Sequence, residues 1–439
     1  MNEVRTASWR KVILGSLAKK LVNGGTPPTG VERFWNGKIP WVTGADFTSS
    51  GIGEFRRFVS EEAVTQTSTN VIERGQLLIV TRTGVGKLAI APCDIAISQD
   101  ITGFYVDEDQ VTPDFLYHRM RRGIEDLKRL NQGTSINGIV RGDLISYFVE
   151  LPPLAQQRRI AEILSTVDEA IEQTEALIAK YQQIKAGLMH DLFTRGVMPD
   201  GQLRPTRAQA PHLYKESPLG WIPKEWDCFT VEELLEKSAC PMRSGPFGSA
   251  LLKNELVNEG IPLLGIDNIY QERFVPTFSR FVSYRKFTEL MRYSVLPRDV
   301  IITIMGTVGR CCVVPDSVTQ ALSSKHLWTM TFDNNRVLPD LVCWQLNHAR
   351  WVKDWFARYS QGAVMEAIQS STLRTLRLPV PHIEEQGLIR SRYRSSSHRI
   401  DVEQQHLDKL KQIKYGLMHD LLTGRVRVQV PEVAQASAR

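Results

Sequence analysis

The sequence predicts an α+β fold that is built twice, with two pseudo-symmetric α+β domains separated by two long antiparallel α-helices in a coiled-coil spacer. Three observations lead to this prediction. One segment occurs twice in nearly identical form, apolar strand-like runs bounded by glycine precede each copy, and a proline-free helical pattern leads into each copy. The length of 439 residues fits about three domain-sized units.

The duplication is clearest near the end of each half. Residues 183–194 read QIKAGLMHDLFT and residues 412–423 read QIKYGLMHDLLT, so ten of twelve positions agree at an offset of 229. Upstream, the halves match only at landmarks such as Val85-Gly-Lys87 and Val308-Gly-Arg310. The repeated units are therefore roughly 1–196 and 217–426. A near-identical end beside a divergent body favours a common docking role with separate recognition.

Each half divides into a variable domain and a helix. Branched runs at 76–81 and 300–304 predict strands, and apolar residues at helical spacing predict a helix over 113–130. Leu151-Pro-Pro ends the first body, and Gln156–Thr194 then carries apolar residues in steps of three and four, as a coiled-coil seam does. The alternative is that each helix packs on its own domain. We assign 1–150 and 217–377 to the variable domains, 151–196 and 378–426 to the spacer helices, 197–216 to a linker and 427–439 to a flexible tail.

Composition narrows the class of protein. The chain has 54 basic and 48 acidic residues, a net charge of +6 that permits nucleic-acid binding without requiring it. No apolar run is long enough for a membrane span, and the N-terminus lacks a secretory signal, so we expect a cytosolic protein without membrane contact. Six cysteines without a C-x-x-C pair predict no metal site and suggest buried apolar residues.

Four motifs resemble catalytic elements, and each lacks a required part. Arg82-Thr-Gly-Val-Gly-Lys87 lacks the terminal positions of a phosphate-binding loop and fits better as a glycine-rich turn that aims a basic side chain at a phosphate backbone. Asp114, Asp126 and Lys128 resemble a nuclease constellation, but the last two fall mid-helix. The Pro-Pro pairs lack the amide or acidic residue and the aromatic residue of an amino-methyltransferase motif. His190-Asp191 and His419-Asp420 are neighbours that face apart on a helix, which favours packing or capping.

Polar and basic residues cluster in the predicted loops of both variable domains, and these residue types read base edges and hold phosphates. The candidate DNA-contacting residues are Arg56, Arg57, Arg82, Lys87, Ser98, Gln99, Gln132, Ser135 and Asn137 in the first domain, and Arg243, Ser244, Lys253, Asn254, Asn268, Arg310, Ser323, Ser324, Lys325, His326 and Gln361 in the second.

The sequence resembles the specificity subunits of type I restriction–modification systems. The resemblance covers nearly the whole chain and rests on duplicated elements: Ser217-Pro-Leu-Gly-Trp-Ile-Pro-Lys-Glu-Trp226, Ser244-Gly-Pro-Phe-Gly-Ser249, Gly260-Ile-Pro-Leu-Leu264, Gly306-Thr-Val-Gly-Arg310 and Leu151-Pro-Pro-Leu-Ala-Gln-Gln157. The first domain matches more loosely, with Gly24-Gly-Thr-Pro27 where the second has Ser-Gly-Pro-Phe-Gly. This departure suggests that the halves recognise different sequences.

The resemblance implies two target recognition domains that each read one half of a split, asymmetric double-stranded DNA site. It implies that the helices set the half-site spacing and dock two methyltransferase subunits, with restriction subunits joining through the assembled complex. S-adenosylmethionine, ATP and Mg then belong to partner subunits, and this chain has no catalytic or metal-binding residues. Candidate docking residues are Gly187, Leu188, His190, Gly416, Leu417 and His419. Two alternatives stay open, a coiled-coil scaffold and a stand-alone DNA-modifying enzyme.

Overall fold

The computed structural model describes residues 9–48, 51–83, 86–130, 139, 141–360 and 368–430. The chain divides into two compact units, residues 1–178 with 403–439, and residues 179–402. Each unit contains one variable domain and parts of both long helices. Within the described ranges, no helix is long and apolar enough to cross a membrane.

The first unit has two four-stranded sheets and a two-stranded ribbon, with strand orders β2-β9-β6-β7, β4-β3-β8-β5 and β1-β10. Its strands are β1 Arg10–Ile13, β2 Ala18–Asn23, β3 Ile39–Val42, β4 Phe58–Val59, β5 Asn70–Ile72, β6 Leu77–Val80, β7 Leu88–Ile90, β8 Ile95–Ile97, β9 Ile101–Val106 and β10 Phe148–Leu151. Its helices are α1 Glu61–Gln66, α2 Pro113–Leu130, α3 Arg141–Ser146 and the start of α4 Leu154–Thr194. Strand β6 is buried throughout, as its unbroken apolar run indicates.

The second unit repeats this arrangement with additions, in the orders β14-β24-β21-β22, β15-β19-β16-β23-β20, β13-β25, β11-β12 and β17-β18. Its strands are β11 Tyr214–Ser217, β12 Gly220–Pro223, β13 Asp227–Thr230, β14 Met242–Arg243, β15 Leu256–Val257, β16 Ile261–Leu264, β17 Ile269–Tyr270, β18 Arg273–Phe274, β19 Phe281–Val282, β20 Ser294–Val295, β21 Val300–Thr303, β22 Cys311–Val313, β23 Ala321–Ser323, β24 Leu327–Met330 and β25 Arg377–Val380. Its helices are α5 Val231–Leu234, α6 Tyr284–Glu289, α7 Pro339–His348, α8 Arg350–Ser360, α9 Ser370–Arg374 and α10 Ile383–Leu421.

Corresponding sheets share their pairing directions. The β3–β8 pair is parallel, as is the β16–β23 pair, while the neighbouring pairs in both sheets are antiparallel. The first four-stranded sheet of each unit is antiparallel throughout. The predicted duplication is therefore present in the strand topology of each unit, and the predicted mixture of strands and helices is confirmed.

The two long helices begin in the same way because a buried glutamine anchors each one. Gln157 Nε2 donates to the carbonyls of Gln110 and Pro152 at 3.0 and 2.9 Å, and its amide oxygen accepts from the Thr112 amide at 3.0 Å. Gln386 repeats these bonds with Arg336, Pro381 and Leu338. The prolines before each helix end the preceding strand, and the glutamine then fixes the helix start to the domain.

The two long helices contact each other inside each unit, and in the first unit their segments run antiparallel. In the first unit Lys414 contacts Asp168 on α4, and Lys411 Nζ lies 2.8 Å from Glu175 Oε1. The residue numbers increase along α4 as they decrease along α10, so the two segments are antiparallel. In the second unit the Lys185 ammonium lies 4.5 Å from the centroid of the Tyr393 ring. The helices also pack on the domains, because Ile160 and Leu421 belong to the first core. Pairing and domain packing therefore occur together.

The segment 197–216, assigned to a linker, is anchored to the second unit at Val197 and Arg204, which are 1% and 3% exposed. Arg204 contacts Glu225 and Glu385, and the Trp226 indole also donates to Glu385 at 3.0 Å. The cysteines are all free, but only 311, 312 and 343 are buried, while Cys240 is exposed. Cys240 lies in a surface loop, where the apolar expectation does not apply.

Candidate functional site

Three loops of the first unit are joined through backbone hydrogen bonds at one edge of its sheets. They are the β3 loop, residues 43–57, the hairpin loop, residues 81–87, and the short loop, residues 98–100. The Ser98 amide donates to the Val42 carbonyl at 2.9 Å, which anchors the short loop to the end of β3. The Thr81 amide donates to the Asp100 carbonyl at 2.8 Å, which joins the hairpin loop to the short loop.

The second unit has the same set of three joined loops, which we call the loop frame, built from different residues. Its β3-equivalent loop covers 265–280, its hairpin loop 304–310 and its short loop 324–326. The Ser324 amide donates to the Leu264 carbonyl at 3.1 Å, and the Ile304 amide donates to the His326 carbonyl at 3.0 Å. Because these bonds involve only main-chain atoms, the side chains on the frame are free to differ between the units.

Each hairpin loop closes with a glycine in the left-handed region. Gly86 has φ 90° and Gly309 has φ 92°, and their amides donate to the carbonyls of Val80 and Thr303 at 2.9 Å each. Glycine adopts this conformation without a side-chain clash. The predicted glycine-rich turn is confirmed at its described residues, and it joins two strands rather than the strand and helix of a phosphate-binding loop.

A second pair of glycines lies against the short loops. A Cβ at Gly24 would lie 2.1 Å from the Ile97 carbonyl oxygen, and a Cβ at Gly245 would lie 2.2 Å from that of Ser323. Neither position accepts a larger residue unless the backbone moves. The glycines of Gly24-Gly-Thr-Pro27 and Ser244-Gly-Pro-Phe-Gly thus let two segments of main chain approach each other at the same point in both units.

The β3 loop of the first unit carries two exposed arginines. Asp46 accepts from the Thr43 amide at 2.8 Å and from Arg56 Nε at 2.9 Å. Burial alone would raise the pKa of Asp46, but the bonds from Thr43 and Arg56 outweigh it and hold the pKa below its usual value. The Arg57 guanidinium lies 4.5 Å from the Trp41 ring centroid. The side chains of Arg56 and Arg57 are 60% and 45% exposed. Each is therefore oriented by its contacts within the loop and is still accessible to a binding partner.

Lys87 differs from its prediction. Its ammonium donates to the carbonyls of Gly44 and Phe47, both at 2.9 Å, and so ties the hairpin loop to the β3 loop. The equivalent Arg310 instead places its guanidinium 5.3 Å from the centroid of the Tyr270 ring. The proposal that both cations aim at a phosphate backbone therefore needs correction at Lys87, whose charge is directed into the domain.

Basic side chains surround the short loop of the second unit. A cavity of about 380 Å³ is lined by Arg280, Ser324, Lys325 and His326 together with apolar residues. Lys325 is exposed, and Arg280 contacts Asp267. Burial together with the charges of Lys325 and Arg280 lowers the pKa of His326. The Ser324 hydroxyl is buried without a hydrogen-bond partner in the described structure. The cavity is thus a concave, positively charged surface.

Five of the predicted DNA-contacting residues are buried in the structure. Arg243 pairs with Asp299 and bonds Thr331, and Asn268 Oδ1 accepts from the Gly265 amide at 2.9 Å. These side chains satisfy groups inside the domain, where base edges and phosphates cannot reach them. The buried residues are Ser98 at 1%, Arg243 at 8%, Ser244 at 6%, Asn268 at 1% and Ser323 at 0% exposure.

The other candidates are divided between the surface and the parts of the chain outside the description. Arg82, Gln99, Lys253, Asn254 and Lys325 are exposed. Gln132, Ser135, Asn137 and Gln361 lie outside the described residues. Sequence reasoning missed Arg280, which precedes β19 as Arg57 precedes β4, and Arg141, which lines a cavity of about 450 Å³ with Arg82 and Gln99. The offset of 223 between Arg57 and Arg280 is the signal that could have identified the latter.

The repeated helix ends carry a second candidate surface. Ile184 and Ile413, apolar residues of the two predicted spacer helices, are 52% and 43% exposed. Gly187 and Gly416 lie about one turn further along each helix. A Cβ added at either position would have no atom within 4 Å, so these glycines are not needed for close backbone packing among the described residues of this chain. Leu188 and Leu417 pack partly on the cores of their units. His190 and His419 are exposed, so neither is packed in a core, and His419 Nε2 lies 3.4 Å from Arg425 Nη1 just beyond the helix end.

Two acidic residues of the nuclease-like pattern are partly buried or hydrogen-bonded within the domain. Asp126 lies on α2 and accepts from the Tyr147 hydroxyl at 3.0 Å, while burial raises the pKa of Asp114. In the second unit Asp340 pairs with Arg298 and Arg394. Among the residues described, no group of three or more His, Cys, Asp or Glu side chains is arranged to hold a metal ion.

A family model and two relatives with similar sequences show which known proteins this chain resembles. The model of the type I restriction modification DNA specificity domain matches residues 7–183. The type I restriction enzyme MjaVIII specificity subunit of Methanocaldococcus jannaschii is 23% identical over 430 residues, which cover 96% of this chain and 93% of the relative. The EcoR124I/EcoR124II specificity subunit of Escherichia coli is 29% identical over 162 residues, or 35% of this chain and 40% of that one.

Solved structures share the fold. The S subunit of a type I restriction-modification system from M. genitalium superposes with a TM-score of 0.58 at 17% identity, over 96% of this chain and 98% of that chain. A chain from a study of complex assembly and conformational transition of the type I R-M system gives a TM-score of 0.56 at 17% identity, over 96% and 99%. This chain therefore contains a type I restriction modification DNA specificity domain in its first half and is similar over nearly its whole length to a type I restriction enzyme specificity subunit.

Proposed function

We propose that the chain binds a bipartite, asymmetric site in double-stranded DNA and directs partner subunits to it. Each variable domain reads one half-site, and the paired helices set the number of unspecified base pairs between them. The protein acts in the cytoplasm and does not contact a membrane. The observation that carries the proposal is the loop frame, which occurs twice with the same main-chain bonds and with different side chains.

The frame is suited to DNA for electrostatic and geometric reasons. In the first unit Arg56, Arg57 and Arg82 are exposed around it, and in the second unit Arg280 and Lys325 line its cavity. Lysine and arginine neutralise phosphates and supply most of the affinity for a duplex, while side chains that reach the grooves supply the sequence preference. A fixed backbone with variable side chains lets one fold read two different half-sites.

The chemistry belongs to the partner subunits in this proposal. This chain carries no catalytic residues, while S-adenosylmethionine, ATP and Mg are bound by methyltransferase and restriction subunits. The acidic residues of the nuclease-like motif support this division, because Asp126 and Asp340 are engaged with Tyr147 and with two arginines.

Two methyltransferase subunits dock on the repeated helix ends. Ile184 with Gly187 and Ile413 with Gly416 present the same residues at the same helical spacing, so two copies of one partner have equivalent surfaces to bind. An exposed isoleucine beside an open glycine offers apolar area and close backbone approach to a partner helix or loop. Restriction subunits join through the assembled complex.

The test combines activity with stoichiometry. The purified chain should neither methylate nor cut DNA, and methylation should appear when its methyltransferase partner is added. Mass photometry should show two methyltransferase subunits per chain, falling to one in Ile184→Asp and one in Ile413→Asp. Gln182→Asp, an exposed residue on the opposite side of α4, is the matched control and should retain two. Methyl transfer by the pure chain, or unchanged stoichiometry in both isoleucine variants, would contradict the proposal.

A further inference from the structure

The short loops hold equivalent residues at equivalent places, and their side chains differ in hydrogen-bonding chemistry. The Ile101 amide donates to the Ser98 carbonyl at 3.0 Å, and the Leu327 amide donates to the Ser324 carbonyl at 3.1 Å. With the anchors to β3 and β16 and to the hairpin loops, each short loop is therefore closed by three matching main-chain bonds. The middle residue is Gln99 in the first unit and Lys325 in the second, and both are exposed.

The Gln99 amide is held in one orientation. The Thr26 hydroxyl donates to its amide oxygen, and Thr26 lies two residues after Gly24, which packs against the short loop. The amide can therefore donate through Nε2 and still accept through its second lone pair. Adenine presents an N7 acceptor and an N6 donor side by side in the major groove, and a glutamine amide matches both.

Lys325 differs from Gln99 because its side chain can only donate hydrogen bonds. An ammonium carries donors and no acceptor, so it matches a base edge that presents only acceptors. In the major groove guanine offers N7 and O6 together, whereas adenine places a donor beside its N7. Arg280 lines the same cavity and pairs with Asp267, so Lys325 is the exposed cation there that lacks such a carboxylate partner among the ion pairs of the described residues.

We propose that Gln99 and Lys325 are specificity-determining residues at matched positions, with Gln99 reading an adenine in one half-site and Lys325 reading a guanine in the other. This inference rests on the proposed function, because it requires each unit to contact a major groove. Thr26 is a positioning residue that acts through the Gln99 amide.

The experiment selects double-stranded oligonucleotides, randomised over about two helical turns, on the full chain purified with its methyltransferase partner. Sequencing of the bound fraction gives the consensus. Lys325→Gln should replace one guanine preference by adenine in one half-site, and Gln99→Lys should make the reverse change in the other. Each preference should shift by about ten- to one-hundred-fold, the discrimination of a good base contact. Thr26→Val should weaken the adenine preference alone.

Two controls separate the inference from the function on which it rests. Lys237→Gln removes the charge of an exposed lysine in the second unit and should leave the consensus unchanged. If the wild-type complex selects no consensus, the proposed function fails. If it selects a bipartite consensus that both Gln99→Lys and Lys325→Gln retain, the function stands and the assignment of these two residues is wrong.

Discussion

The Tyr393 hydroxyl donates a hydrogen bond to the Glu272 carboxylate, which joins helix α10 to the turn between β17 and β18. Glu272 has φ 59°, an uncommon value for a residue with a side chain, and it also contacts His348 and the Lys185 ammonium, the latter at 3.7 Å. Burial would raise the pKa of Glu272, but the bonds from His348 and Tyr393 outweigh it and keep the pKa below its usual value. The strained turn that carries Tyr270 is thus held by both long helices.

Tyr393→Phe should destabilise the second unit. The substitution keeps the ring that stacks on Trp344 and removes only the donor to a largely buried carboxylate. A hydrogen bond to a charged group contributes about 1.5–3 kcal/mol, so we expect a loss of that order in the free energy of unfolding. Urea unfolding followed by tryptophan fluorescence measures it. Tyr415→Phe, at a ring that is 77% exposed, is the control and should change stability by less than about 0.5 kcal/mol. Equal effects of the two substitutions would show that the Glu272 contact is unimportant.

His118 should make the first unit sensitive to acid. Burial, with smaller effects from the neighbouring charges, lowers its pKa to about 4, and its Nδ1 has no hydrogen-bond partner among the described residues. The unfolded chain takes up this proton near pH 6.5, whereas the folded chain resists it until about pH 4, so stability falls as the pH drops between these values. The full loss is about 3 kcal/mol.

The check is the pH dependence of thermal unfolding between pH 7 and 4. His118→Gln keeps a polar partner for Ser165 and should flatten the decline over this window. His190→Gln, at an exposed position, should reproduce the wild-type curve. A His118→Gln curve parallel to the wild type would mean that protonation of this imidazole is not linked to unfolding.

The sequence predicted those parts of the fold that depend on residues close together in the chain. The helix α2 follows from Phe115, Met120 and Ile124 at helical spacing, and the repeat follows from near-identity of 183–194 and 412–423. Whether Arg243 is exposed to solvent depends instead on its buried ion pair with Asp299, a residue far from it along the chain. Ile184 fits the periodicity of a seam, but periodicity does not say which apolar residues of a long helix face its neighbour.

Lys87 and Arg310 should respond differently to loss of charge although they occupy equivalent positions. Lys87→Met leaves the carbonyls of Gly44 and Phe47 without their donor, so we expect a loss of about 1–3 kcal/mol in the free energy of unfolding. Arg310→Met removes a partly exposed cation beside Tyr270 and should instead weaken DNA binding by roughly 1–3 kcal/mol. Paired measurements of urea unfolding and of duplex affinity on both variants distinguish them. Reversed effects would contradict the two assignments.

Shortening the paired helices should shorten the preferred DNA spacer. Glu175 lies opposite Lys411, so the matched deletion removes 172–175 and 408–411. One helical turn from each helix shortens the pair by about 6 Å, nearly two base pairs of rise. Methylation of duplexes that differ only in spacer length should show the same half-sites at a spacing reduced by one or two base pairs. An active variant with the original spacing would show that the helices do not set the distance.

The most direct test of the account is an exchange of residues 1–150 for the corresponding domain of another specificity subunit, followed by sequencing of the methylated bases in DNA modified by the assembled complex. Each unit carries its own loop frame, so one half of the methylated motif should change to that of the donor protein while the other half stays the same. A change in both halves, or in neither, would contradict the claim that each unit reads one half-site independently.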